Sequence, residues 1–179
     1  ISLLDPELTY SLPRDLTIIT GLDALTQLIE PFVSVKANPI TDAFCREGLS
    51  RISWAFPRVI ENGYDLQARR EMLLASMFGG FALANAGLGA AHGFAGPIGG
   101  MFGAPHGVIC ARLLAPVMET NIQALLKREA DSPALPRYQE VSRILTGTPN
   151  AASEAGVFWV NQLCDWVQVP CLPSFGLQS

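Results

Sequence analysis

Charge is scarce in this chain of 179 residues: Asp, Glu, Lys and Arg make up 16%, against 49% hydrophobic residues. That balance excludes an intrinsically disordered chain, and the length suffices for one domain with a sizeable core. Basic residues are few as well, 12 Lys and Arg for a net charge of −4, and they are scattered. Without a basic block to neutralise phosphates, nucleic acid is not expected as a partner. The four cysteines, Cys45, Cys110, Cys164 and Cys171, form no C-x-x-C pair. This argues against a zinc knuckle or a dithiol redox motif and points to reduced thiols in a cytoplasmic protein. The opening Ile1-Ser-Leu-Leu-Asp-Pro6 has no initiator Met, basic n-region or signal-like apolar core, and reads as the start of a piece of a longer protein. Alternating strand patterns and internal repeats are missing too.

Helical periodicity is abundant. From Pro13 to Ser34, apolar residues recur every three or four positions (Leu16, Ile19, Leu22, Leu25, Leu28, Ile29, Phe32), with Gly21 as a candidate break. Asn38 and Pro39 form an N-cap and first turn ahead of a second stripe running to Glu61, which Asn62-Gly63 ends. A third helix is expected from Asp65, and later ones from about His106 to Leu126, Leu135 to Leu145 and Ala151 to Val167.

Between Glu71 and Arg112 there is no charged residue, and ten of the 16 glycines fall there. A bilayer span is one reading of such a length. Asn85, His92 and His106, together with the breakers Gly96-Pro97 and Ala104-Pro105, favour another. On that reading a central helix surrounded by other helices leads into a close-packed glycine-rich turn region, and no membrane is involved.

The chain's two histidines, His92 and His106, both lie in this uncharged stretch. Each is readable as a hydrogen-bonded core residue or as a metal ligand. Asp23 and Gln27, four residues apart, share a face within an apolar stripe, where a carboxylate wants a cation, although Asp23 also reads as a cap after Gly21. Glu30, just before Pro31, reads as a solvated or capping charge. Together, a carboxylate, a carboxamide and two imidazoles could form a mixed O/N pocket for Fe(II) or Zn(II), acting as a Lewis acid on a substrate oxygen.

Four ordered motifs then match a known pattern: Gly21-Leu-Asp-Ala-Leu-Thr-Gln27, Asn38-Pro-Ile-Thr-Asp42, Gly87-Leu-Gly-Ala-Ala-His92 and Gly99-Gly-Met-Phe-Gly-Ala-Pro-His106. Leu4-Asp-Pro-Glu-Leu-Thr9 and Leu172-Pro-Ser-Phe-Gly176 extend the match to both ends. The chain resembles the C-terminal helical domain of the iron-containing (group III) alcohol dehydrogenases, which include the maleylacetate reductases. The resemblance implies an all-α, bundle-like domain over residues 1–179, part of a two-domain dehydroquinate synthase-like protein. The N-terminal nucleotide-binding domain and the final C-terminal helices would lie outside this chain.

It further implies an NAD(P)-dependent oxidoreductase interconverting a small alcohol and an aldehyde or ketone, with NAD(P) bound mainly by the other domain. The family's metal-binding aspartate falls on Asp23 and two of its histidines on His92 and His106. At its third histidine position this chain has Gln27, a weaker, neutral ligand, so the choice between Fe(II) and Zn(II) stays open. Where many members have a second histidine, four residues after His92, the chain has Gly96, which cannot relay a proton. These departures keep two alternatives: a metal-independent reductase similar to the maleylacetate reductases, and a catalytically inactive helical interaction module. No G-x-G-x-x-G fingerprint stands in a strand-to-helix context, so the chain alone is not expected to transfer hydride. Exposure of the interdomain face would favour self-association into a homo-oligomer.

Overall fold

The first long helix, α1 (Arg14–Val33), owes its position to its sequence: Leu22, Leu25, Leu28, Ile29 and Phe32 are all at most 1% exposed, and α1 packs against four other helices. Each such side chain contributes roughly 1.5–3 kcal/mol by leaving water. The computed structural model describes residues 3–177, and the elements among them are helical throughout. Gly21 does not break α1. It is the point where the Phe56 ring from the next helix presses in, and a Cβ there would lie 2.2 Å from the ring.

Helix α2 (Pro39–Glu61) begins as the sequence indicates. Asn38 accepts the backbone N–H of Ile40 and Thr41, and Thr41 Oγ1 accepts that of Asn38. Asp65 caps α3 (Leu66–Ala86) through the Ala68 N–H, and a short link folds α3 back along α2. The expectation of an enclosed α3 fails, because its buried residues are mostly small (Ala68, Ala75, Gly79, Ala82, Ala86) while Phe81 is exposed. The central helix is α1, whose larger side chains fill the space between neighbours.

The glycine-rich segment is also not merely a turn region. After a bend of 100° at Gly87–Gly89 it forms α4 (Ala90–Phe102), and α5 (His106–Arg128) follows and packs on both α4 and α1. That bend divides the long apolar run. Among the described helices α1 is the one long and apolar enough by itself to cross a bilayer, and 67% of its apolar window is buried inside the fold. Helices α6 (Ala134–Thr146) and α7 (Ser153–Trp166) pack together at the far side. Arg137 of α6 ties that pair to the centre with a two-pronged bond to Asp42 of α2, at 2.6 and 2.9 Å, and a third bond to the Phe32 carbonyl.

Candidate metal centre

Three helix segments converge on one point. Asp23 and Gln27 project from the middle of α1, His92 from the first turn of α4, and His106 from the first residue of α5. The convergence depends on two glycines that let backbones and side chains meet. A Cβ on Gly107 would lie 2.2 Å from the Ile19 carbonyl oxygen, so this glycine lets the start of α5 sit against α1. A Cβ on Gly89 would lie 2.7 Å from Glu30 Oε1, so this one admits a carboxylate to the start of α4.

Asp23 Oδ1 lies 3.2 Å from His92 Nε2 and 3.5 Å from His106 Nε2, and the two imidazole rings are 5.4 Å apart centre to centre. The other carboxylate oxygen, Oδ2, accepts a 2.7 Å bond from the Gln27 amide nitrogen. All four residues singled out in the sequence are thus brought together. Gln27 meets the group through Asp23, with its amide N–H turned to the carboxylate.

Two further residues join them. Glu30, expected to be solvated or capping, is 4% exposed, and its Oε2 accepts the His92 Nδ1 hydrogen at 2.6 Å. Its Oε1 accepts the Ala91 N–H at 2.7 Å, so it does cap a helix, but α4 and not its own. The signal was present in the spacing: Asp23, Gln27 and Glu30 stand at i, i+4 and i+7 on one face of α1. The second addition is Cys110, buried one turn beyond His106 on α5, with Sγ 3.5 Å from His106 Nε2. Ligand atoms of Asp23, His92, His106 and Cys110 all lie within 4.8 Å of one another.

The donor set suits a divalent ion. Donors bound tetrahedrally at ~2.0–2.3 Å are separated by ~3.3–3.8 Å, and the separations here of 3.2 and 3.5 Å lie just below that range and inside it. Charge leads to the same conclusion. Burial disfavours the His92 imidazolium, yet hydrogen bonds to Asp23, Cys110 and Glu30 outweigh it and raise the pKa from 6.5 to about 11. Two carboxylates facing one imidazole make this a place for a cation, and a proton fills that need only partly. The His92 side chain is 8% exposed and that of His106 52%, so the group is closed on the α1 side and open toward solvent at α5.

The family model described as "Fe-containing alcohol dehydrogenase family, C-terminal" matches residues 17–171. Alcohol dehydrogenase 4 of Schizosaccharomyces pombe is 46% identical over 121 residues, 68% of this chain and 29% of that protein. The 1,3-propanediol dehydrogenase of Klebsiella pneumoniae is 40% identical over 131 residues, 73% of this chain and 34% of that one. Among solved structures, an alcohol dehydrogenase from Oenococcus oeni superposes with a TM-score of 0.86 at 36% identity, covering 97% of this chain and 45% of the other. The chain therefore spans less than half the length of each of these proteins.

Proposed function

Because the chain belongs to the iron-containing alcohol dehydrogenase family and has the fold of its C-terminal helical domain, we propose that it is the metal-holding half of an NAD(P)-dependent oxidoreductase acting on a small alcohol or its carbonyl counterpart. The observation that carries this reading is the convergence of Asp23, His92 and His106, their facing atoms 3.2 and 3.5 Å apart, from three separate helix segments.

Asp23, His92 and His106 would hold a divalent ion, Fe(II) or Zn(II). Bound there, the ion supplies Lewis-acid polarisation of a substrate oxygen. The chain's own residues do the rest of the positioning. Glu30 accepts the Nδ1 hydrogen of His92, so Nε2 would give up its proton to become the nitrogen ligand of the ion. Gln27 occupies Asp23 Oδ2 and leaves Oδ1 turned to the histidines, which makes it a positioning residue. Gly96, one turn along α4 from His92, offers no group to carry a proton. A Cβ there would meet nothing beyond its chain neighbours within 4 Å, so a proton carrier at this position would have to come from outside this chain's side chains. Leu88, Phe94 and Met101, exposed on and beside α4, are the apolar surface that a nucleotide-binding domain bringing NAD(P) would cover.

Metal content tests the proposal. After anaerobic loading with Fe(II) or Zn(II), the full protein should retain near-stoichiometric metal, the His92→Ala variant should not, and alcohol-dependent reduction of NAD(P) should follow the metal. Retention of metal in His92→Ala, or turnover in the wholly metal-free protein, would overturn it, the latter in favour of a metal-independent reductase.

A further inference from the structure

The ion-binding reading uses three donors, and the structure brings a fourth donor atom to the same point. Cys110 Sγ is 3.5 Å from His106 Nε2 and within 4.8 Å of the ligand atoms of Asp23 and His92. Its residue is wholly buried, so the thiol faces inward. The helix fixes that direction, since positions 106 and 110 of α5 are one turn apart on the same face, and Gly107 seats that turn against α1. Gln27, by contrast, has turned its amide hydrogens to Asp23 Oδ2. The other buried cysteines lie elsewhere: Cys45 is in the α1–α2 core, and Cys164 contacts the Ala111 carbonyl.

We propose that Cys110 is a protein ligand of the metal, its sulfur completing an Asp23/His92/His106/Cys110 set of one oxygen, two nitrogens and one sulfur. The inference rests on the proposed metal site. On binding, the Cys110 S–H bond breaks, its proton goes to solvent, and the sulfur lone pair forms the bond to the ion. With Asp23 the thiolate supplies two negative charges, which neutralise a divalent cation. A sulfur donor favours Zn(II) or Co(II) over harder oxygen-seeking ions, so the site is tuned toward a thiophilic metal. Four protein donors would fill the positions of a four-coordinate ion. A substrate oxygen would then have to add beside the four protein donors or take the place of the sulfur.

Cobalt and zinc spectroscopy on the full protein test this without an activity assay. With one equivalent of Co(II), the visible d–d bands should be accompanied by a near-ultraviolet sulfur-to-cobalt charge-transfer band. Cys110→Ser should keep the d–d bands and lose the charge-transfer band, while Cys171→Ser should keep both. Zinc-edge X-ray absorption should show a sulfur shell at ~2.3 Å in the unaltered protein that is gone in Cys110→Ser. Bound Co(II) without the charge-transfer band, or a band that survives Cys110→Ser, would overturn the ligand assignment and leave the metal site standing. Failure of the unaltered protein to bind Co(II) or Zn(II) at all would overturn both.

Discussion

Glu30 holds two groups of α4 at once, accepting the Nδ1 hydrogen of His92 at 2.6 Å and the backbone N–H of Ala91 at 2.7 Å. A single buried carboxylate on α1 thereby sets both where α4 begins and which way its imidazole faces. Gly89 leaves the room for it. Replacing Glu30 by Gln keeps an oxygen for the Ala91 N–H but removes the negative charge behind His92. Outer partners of this kind govern metal affinity by about 10–100-fold. Glu30→Gln is therefore expected to weaken Zn(II) binding by that factor in competition with a chromophoric chelator, with helical content by circular dichroism unchanged. Undiminished affinity would mean that Glu30 serves only the helix start.

Two glycines in the same region should respond in opposite directions to the same substitution. Gly107→Ala drives a methyl group to within 2.2 Å of the Ile19 carbonyl oxygen, which as backbone cannot swing aside. A loss of about 1–3 kcal/mol is expected from urea unfolding. Gly100 is exposed within α4, and its added methyl meets nothing within 4 Å. Gly100→Ala should gain about 0.5–1 kcal/mol, by helix propensity and by restricting the unfolded chain. Equal effects of the two substitutions would contradict the packing described here.

Much of this arrangement was legible from local signals. The cap at Asn38, the start of α3 at Asp65, the apolar stripe of α1 and the onset of α5 at His106 are all set by nearby residues, and the structure reproduces them within a residue or so. What local pattern could not supply was depth. The charge-free run between Glu71 and Arg112 suggested an enclosed helix followed by turns. Its residues are small, however, so α3 packs closely along one face, and α4 forms in spite of its glycines. Glu30 is buried rather than solvated for a related reason. Its next neighbour in sequence is Pro31, but its partners are 61 and 62 residues away, and only tertiary contact turns an exposed-looking acid into a buried one. From the sequence Cys110 reads as an inert core group, as a thiol among apolar residues ordinarily is. Its meaning came from the imidazole one turn before it.

Arg137 and Asp42 explain why Asn38-Pro-Ile-Thr-Asp42 ends on an acid. The guanidinium bonds both carboxylate oxygens, bonds the Phe32 carbonyl and lies 5.3 Å over the Phe32 ring. Asp42 is 6% exposed, so loss of its partner would leave a largely buried charge. Arg137→Ala should cost about 3 kcal/mol in urea unfolding, and Arg137→Lys, which keeps the charge but not the planar fork, should recover only part of it. A double-mutant cycle with Asp42→Asn should show strong coupling between the two positions. Additive effects would relegate the pair to an incidental contact.

The buried thiols give the protein an alkaline weakness. Burial pushes Cys45 up from 9.0 to about 12, with nearby Asp42 adding to the shift, and pushes Cys164 up to about 11. Burial raises the Tyr138 hydroxyl as well. In each case the folded state keeps a proton that the unfolded chain gives up sooner. The stabilisation is thus complete below about pH 9 and falls as pH rises through about 11 to 12, by on the order of 1 kcal/mol per pH unit for each thiol within its own window. Urea unfolding at about pH 8 and about pH 10.5 should show this decline. The Cys45→Ala/Cys164→Ala variant, though less stable at the lower pH for loss of packing, should decline less steeply, with His92, Cys110 and Tyr138, all raised in the metal-free fold, supplying what remains. Thiol reactivity gives an independent reading at the lower pH: exposed Cys171 should react at once with Ellman's reagent, and Cys45 and Cys164 only as the chain unfolds. A prompt reaction of either buried thiol in the folded protein, or an identical pH slope in the double variant, would remove the cysteines as the source of the effect.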